Sequence, residues 1–319
     1  MDRHGAAFDK RGTSMTDRQA RLAPPRPLTR LEPGVALREV AVTCTNLWCS
    51  TDAVIEGLDD PIVAGDPAGW ADALTTDLRR ELDGRVDTQL LLGEPVRVLE
   101  EAGGWARVVA PWQPSRKDRA GYPGWVRSDH LAQPAAPTDG PLVVVTSVLA
   151  GVLVDGSNRF EATLGTVLAQ IQRRDKEVGV ALPGGRTGVL DGADVHPLPV
   201  DSSGEAVLAV ASTMVGLGYL WGGLSVFGLD CSGLVHLSAR RCGLLLPRDA
   251  DDQQTSVAAV DEPRAGDLVF FGKTDRATHV GFVSGAGRLL HAPMTGGVVT
   301  EEELSVERRA ALLGTGRLT

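Results

Sequence analysis

A break in pattern near residue 200 constrains this chain more than any other feature. Before it, short alternating or wholly apolar runs are cut repeatedly by Gly and Pro: Leu37–Thr43, Gln89–Leu92, Val96–Leu99, Trp105–Val109 and Gly124–Val126. Runs of this kind are short strands, and their even punctuation predicts a small β-barrel over 34–135. Gly69–Leu82 interrupts it with helical spacing at Trp70, Leu74, Leu78 and Leu82, so one helix is expected there. Trp48 and Trp125 are assigned to the barrel core. A Pro-rich stretch, Gln133–Pro141, follows as a semi-rigid spacer. The pattern then repeats in Leu142–Val145, Gly151–Val154, Glu177–Ala181 and Gly188–Leu190, with turn signals at Asp155-Gly156 and Pro183-Gly184-Gly185. That predicts a second barrel over 140–199, closed by His196-Pro197-Leu198-Pro199. From Gly204 to the end, helical and strand patterns mix. Helices are expected at Gly204–Val215 and Cys231–Cys242. Strands are expected at Asp267–Phe271, His279–Val283, Leu289–His291 and Val298–Thr300, and a helical tail after Glu301. The fold class is therefore α+β behind two small barrels. Residues 1–33, charged and Pro-containing, are expected to be a disordered leader.

Composition narrows the partners. The net charge of −9 argues against nucleic acid or an anionic membrane, both of which reward basic surface. No apolar stretch is long enough for a transmembrane helix. The opening residues lack the apolar core of a secretory signal, which predicts a cytoplasmic protein with reduced thiols. The 4 cysteines are too few for a disulfide scaffold. Cys44 and Cys49 lack zinc-ligand spacing and have no His cluster near them, and no metal or organic cofactor is implied. Composition leaves the oligomeric state open.

One constellation carries chemistry. Cys231, Leu234, Val235, Ser238, Ala239 and Cys242 form one stripe of a helix. Cys231 thus opens the buried face, while His236 falls off the stripe and is expected to be partly exposed and non-catalytic. Cys242 ends the stripe in the core. Asp230 is a suitable N-cap, and the free N–H groups of the first turn favour a thiolate at Cys231. Downstream, Ser284-Gly285-Ala286-Gly287 turns one strand back on the next. This places His279 and His291 on the same or an adjacent rung, roughly 5 to 8 Å apart. Such a pair can serve as base and orienter for a cysteine nucleophile, His279 taking the thiol proton and His291 holding its ring. A lone Cys or strand His is ordinarily structural; the three together beside Trp221-Gly222-Gly223 are not. His130 and His196 stand in loop contexts and carry no such signal.

These residues resemble the NlpC-type cell-wall peptidases, a papain-like family of cysteine hydrolases. The resemblance rests on Tyr219-Leu220-Trp221-Gly222-Gly223, Asp230-Cys231-Ser232-Gly233-Leu234-Val235, Pro247-Arg248-Asp249, Gly266-Asp267-Leu268-Val269-Phe270-Phe271, His279-Val280-Gly281 and His291-Ala292, and covers about 204–300. It departs at Ala250, where the family often has Ser, and at Gly218, where Pro is frequent. The barrels look like bacterial SH3-like domains. Their number and order resemble the γ-D-glutamyl-L-diamino acid endopeptidases, which trim free murein peptides after D-Glu and require a free L-Ala amine. The resemblance implies catalysis by Cys231, His279 and His291. It also implies an amine pocket of Asp249, Glu94 and Tyr122, with Ser232 and Arg248 near the D-Glu carboxylate. Tyr219, Trp221 and Asp230 would line the site, Tyr219 being a candidate oxyanion donor. Two other readings stay open: a hydrolase of intact peptidoglycan with wall-binding barrels, and a non-catalytic wall-binding protein.

Overall fold

A computed structural model describes residues 26–31, 36–156 and 158–318. The first barrel is a seven-stranded antiparallel sheet whose strands are Leu37–Val40, Cys44–Trp48, Val86–Leu91, Pro95–Ala102, Trp105–Ala110, Tyr122–Arg127 and Leu131–Ala132. In space they run third, second, sixth, fifth, fourth, first, seventh. The second barrel, from Leu142–Val145 to Val195–Pro197, has the identical order. Two of its strands, Asn158–Thr163 and Val167–Arg174, escaped the sequence reading because their outer halves carry charge in place of clean alternation. Each barrel has its own aliphatic core, Val40, Leu47, Leu90, Val96, Val108 and Val126 in the first, and Val143, Val152, Leu168, Val180 and Leu190 in the second.

The expected helix over 69–82 is broken in two, Pro67–Ala73 and Thr76–Arg80, after a short helix at Asp60–Val63. Leu74 is extended, and the Thr75 side chain caps the next helix by accepting from Leu78 N. The apolar face nonetheless packs as its spacing predicts. Trp70, Leu74 and Leu82 are buried with Trp48, Val86 and Leu220, with Leu78 and Trp125 against them. Trp48 and Trp125 therefore belong to the seam between insertion and barrel, not to the barrel core.

The α+β part has a six-stranded antiparallel sheet ordered Ala258–Ala259, Leu312–Arg317, Leu268–Phe271, His279–Gly285, Arg288–His291, Thr300–Glu303. The tail expected to be helical is the short helix Val306–Ala310 followed by a strand inserted beside Leu268–Phe271. Helix Cys231–Arg241 packs on strand His279–Gly285 and on helix Gly204–Ser212. Every residue from Cys231 to Arg240 is buried. His236, expected to be partly exposed, is therefore enclosed. The helix is central, covered by the sheet on one side and by the barrels on the other, and His236 is fully buried. Cys242 is in the core as expected.

The three units share packing. Cys44 and Leu91 of the first barrel and Leu164 of the second lie in the core of the α+β part. Arg240 and Glu94 form a fully buried ion pair across the same junction. Residues 26–31, the end of the expected leader, also belong to the fold. Arg26–Pro27 pairs antiparallel with Leu244–Leu245, and Leu28 is buried with Trp112, Val144, Val167 and Leu245. The rest of that leader lies outside the described residues. Among the described residues, no helix is long and apolar enough to cross a membrane.

Candidate active site

The nucleophile's position follows from local chemistry. Asp230 is extended and its carboxylate accepts from Gly233 N at 2.6 Å, starting the helix at Cys231. The Trp-Gly-Gly turn is tight for a reason visible in space. Gly222 has φ +70°, and a Cβ there would lie 2.9 Å from Val86 Cγ1 on the first barrel. A side chain at Gly233 would meet Gly223 O at 2.1 Å. The glycines let the turn, the helix start and the barrel wall meet at one point.

Burial, and secondarily the Asp230 charge, pushes the Cys231 thiol up to about 12. Hydrogen bonds from the Val280 and Ser232 N–H groups, and the Arg248 charge, oppose this. Desolvation thus opposes the thiolate that the first-turn N–H groups favour. Burial also holds His279 and His291 down to about 3.

The hairpin register pairs Phe282 with Leu290 and Val283 with Leu289. His291 therefore stands across from Gly281, where a Cβ would come within 2.8 Å of its own, and diagonal to His279. The two rings meet edge to face with centroids 5.0 Å apart, and His279 Nε2 is 2.7 Å from His291 Nδ1. His291 Nε2 lies 3.1 Å from Glu302 Oε1. A carboxylate oxygen accepts, so the His291 proton sits on Nε2. His291 Nδ1 then accepts from His279 Nε2–H, which leaves His279 Nδ1 as the free base. Sequence reasoning missed Glu302; its signal is the strand Thr300–Glu303 pairing alongside Arg288–His291.

Cys231 and His279 open on one cleft of about 750 Å³. Tyr219, Trp221, Asp230, Ser232 and Asp249 line it from the α+β part, and Val86, Asp87, Lys117 and Tyr122 from the first barrel. Burial raises the Tyr219 hydroxyl, so it stays a proton donor. The Tyr122 hydroxyl donates to both oxygens of Asp249 at 3.1 Å. Burial holds that carboxyl up at about 6.

Two residues expected to bind substrate do not line the cleft. Glu94 is fully buried, accepting from Arg240, from Gln113 Nε2 at 2.8 Å and from Leu91 N at 3.1 Å. Arg240 extends from the central helix to this junction, and Glu94 answers its charge there rather than facing the cleft. The carboxylates of the first-barrel unit that do line it are Asp83 and Asp87. Arg248 is likewise buried, and all its N–H groups are taken. Nε donates to Thr88 Oγ1 at 2.7 Å, and Nη1 donates to Asp230 Oδ1 at 3.0 Å and Ser232 Oγ at 2.9 Å. Nη2 donates to Asp230 Oδ2 at 2.7 Å and Gly223 O at 3.2 Å. With five donors spent, Arg248 builds the site by holding Asp230 and Ser232.

The Asp249, Asp251 and Asp252 carboxylates lie within 4.8 Å of one another. Arg116 pairs with Asp251 and Asp252, and Arg276 with Asp251, which is the chemistry of an ion-pair network rather than a ligand shell.

Residues 216–310 match the NlpC/P60 family, and 78–131 match the bacterial dipeptidyl-peptidase SH3 domain. The chain is 36% identical to the γ-D-glutamyl-L-lysine dipeptidyl-peptidase of Bacillus subtilis over 71% of its length and 79% of the relative's. It is 29% identical to the Bacillus cereus protein of the same name, covering 80% and 82%. The crystal structure of an NlpC/P60 family protein from Bacillus cereus superimposes with a TM-score of 0.83 at 26% identity, over 88% of this chain and 99% of that one. A buried cysteine at a helix start, an imidazole pair on the facing hairpin and two SH3-like barrels thus belong to a cysteine peptidase, and the chain is a member of the NlpC/P60 family.

Proposed function

We propose that this peptidase cleaves the γ-D-Glu–diamino acid bond of murein peptides with a free N-terminal L-Ala, releasing L-Ala-D-Glu. The observation that carries this is the group of Asp87, Tyr122 and Asp249 brought together where the first barrel meets the cleft. On the non-reacting side of Cys231, the first barrel contributes Asp87 and Tyr122 opposite Asp249. A primary ammonium leaving water needs carboxylate partners, and two carboxylates with a phenol provide them. A wall at this point also limits how much chain can precede the scissile bond, which favours free peptides over intact wall and suits recycling of wall fragments.

Attack by Cys231 Sγ on the γ-carbonyl forms a thioester as His279 Nδ1 takes the thiol proton. The N–H of Cys231, at the helix start, and the Tyr219 hydroxyl serve the oxyanion. His279 returns the proton to the departing amine, then deprotonates the water that hydrolyses the thioester.

Mass spectrometry of products from L-Ala-γ-D-Glu-L-Lys and its diaminopimelate counterpart, each free and N-acetylated, tests the reading. Free tripeptides should yield L-Ala-D-Glu, acetylated ones should resist, and Cys231→Ala should abolish release while remaining folded. Equal turnover of acetylated tripeptides, or release of soluble fragments from intact sacculi at a comparable rate, overturns it.

A further inference from the structure

Lys117 is a feature of the cleft that the proposed reaction does not use. Its ammonium donates to Asp87 Oδ1 at 2.7 Å and to the Tyr122 hydroxyl at 2.6 Å. It also lies 4.3 Å from the centre of the Tyr122 ring, and its charge acts on Asp249. One primary ammonium thus already engages the Asp87 carboxylate and the Tyr122 phenol that the substrate amine would use, and rests near the Tyr122 ring. The backbone carrying it is tied down. Lys117 N donates to Ser115 Oγ at 3.1 Å, Arg116 N to Asp252 Oδ2 at 2.9 Å, and Arg248 N donates to Pro114 O at 3.1 Å. The lysine side chain itself is 43% exposed, so it can swing into solvent while its loop stays docked.

We infer that Lys117 is a built-in occupant of the amine pocket, which the substrate ammonium must displace from Asp87 and Tyr122 in order to bind. The inference rests on the amine-pocket reading above and deepens it. An amine that brings its own charge replaces the lysine one for one and leaves no carboxylate unpaired. An acylated terminus brings no cation and cannot make the exchange. The lysine therefore sharpens selection for a free amine and weakens the affinity for it.

The test is calorimetric binding of L-Ala-D-Glu to the full chain carrying Cys231→Ala, with and without Lys117→Met, alongside kinetics on the free tripeptide. Removing the internal competitor should tighten dipeptide binding about fivefold, the equivalent of about 1 kcal/mol for one partly exposed pair. The gain in kcat/KM should appear in KM. Lys117→Arg, which keeps a cation beside Asp87, should bind no more tightly than the parent. Weaker binding by Lys117→Met, or tightening by Lys117→Arg equal to that of Lys117→Met, overturns the role of Lys117 even if acetylated tripeptide is refused. Turnover of acetylated tripeptide by the wild type overturns the amine-pocket reading itself.

Discussion

Replacing Arg248 with Met separates a scaffold role from direct substrate binding. The guanidinium is buried, forks onto both oxygens of Asp230, and its remaining donors go to Ser232, Thr88 and the Gly223 carbonyl. Methionine fills similar volume but leaves the Asp230 carboxylate, itself buried, without its cation. Breaking one side of a buried pair costs about 3–5 kcal/mol. At about 2–4 °C per kcal/mol for a chain unit of this size, the midpoint should fall by about 6–20 °C. Because Asp230 caps the helix that carries Cys231, kcat should fall as well. Thermal unfolding and steady-state kinetics of Arg248→Met, Asp230→Asn and the double variant measure both effects. The double variant should lose less than the sum of the single losses, by about 1–3 kcal/mol, as contacting groups do. A variant melting within about 1 °C of wild type while KM alone rises would refute the reasoning and return Arg248 to the substrate carboxylate.

Two further outcomes follow from the site. Asp249 titrates near 6, raised mainly by burial from an ordinary value near 4. Its protonated form therefore favours the fold below about pH 4, and that contribution is lost as pH rises through about 6. The ionised carboxylate at neutral pH is the form that receives an ammonium, so kcat/KM for free-amine substrates should decline below about pH 6. Asp249→Asn should remove that limb and lower kcat/KM about 10- to 150-fold, the equivalent of one charge-assisted hydrogen bond; a limb that persists in the variant contradicts the assignment. Glu302→Ala should lower kcat several-fold, about 1 kcal/mol, by freeing the His291 tautomer. Glu302→Gln, whose amide oxygen can still accept from Nε2–H, should restore most of it, and a loss confined to KM would sink this positioning role.

Local rules carried the catalytic residues a long way. The cap at Asp230, the helical start at Cys231 and the hairpin that sets His279 diagonal to His291 all depend on spacing within a few residues. What lay beyond reach depended on docking. Glu94 sits in an exposed-looking Leu-Gly-Glu-Pro context, and only the approach of Arg240 from the central helix buries it. Asp87 left a signal that could have been used. In strand Val86–Leu91, Asp87 and Gln89 share one face by the two-residue period, so both point at the same neighbour. Gln89 accepts from Leu224 N and Ser225 Oγ, and Asp87 faces the cleft next to it. His236 misled for the reverse reason. An apolar stripe marks a helix with one solvated side, whereas Cys231–Arg241 has none.

The Trp-Gly-Gly turn pressed on Val86 has a consequence for how specificity is encoded. The thiol and the imidazoles come from the α+β part, but one side of the cleft is built by the first barrel, which a missing Cβ at Gly222 lets press close. Because Thr88 of the barrel accepts from Arg248 and Gln89 from Leu224 and Ser225, the barrel wall and the helix that carries the thiol are set by the same contacts. The placement of the nucleophile and the shape of the cleft are therefore coupled traits.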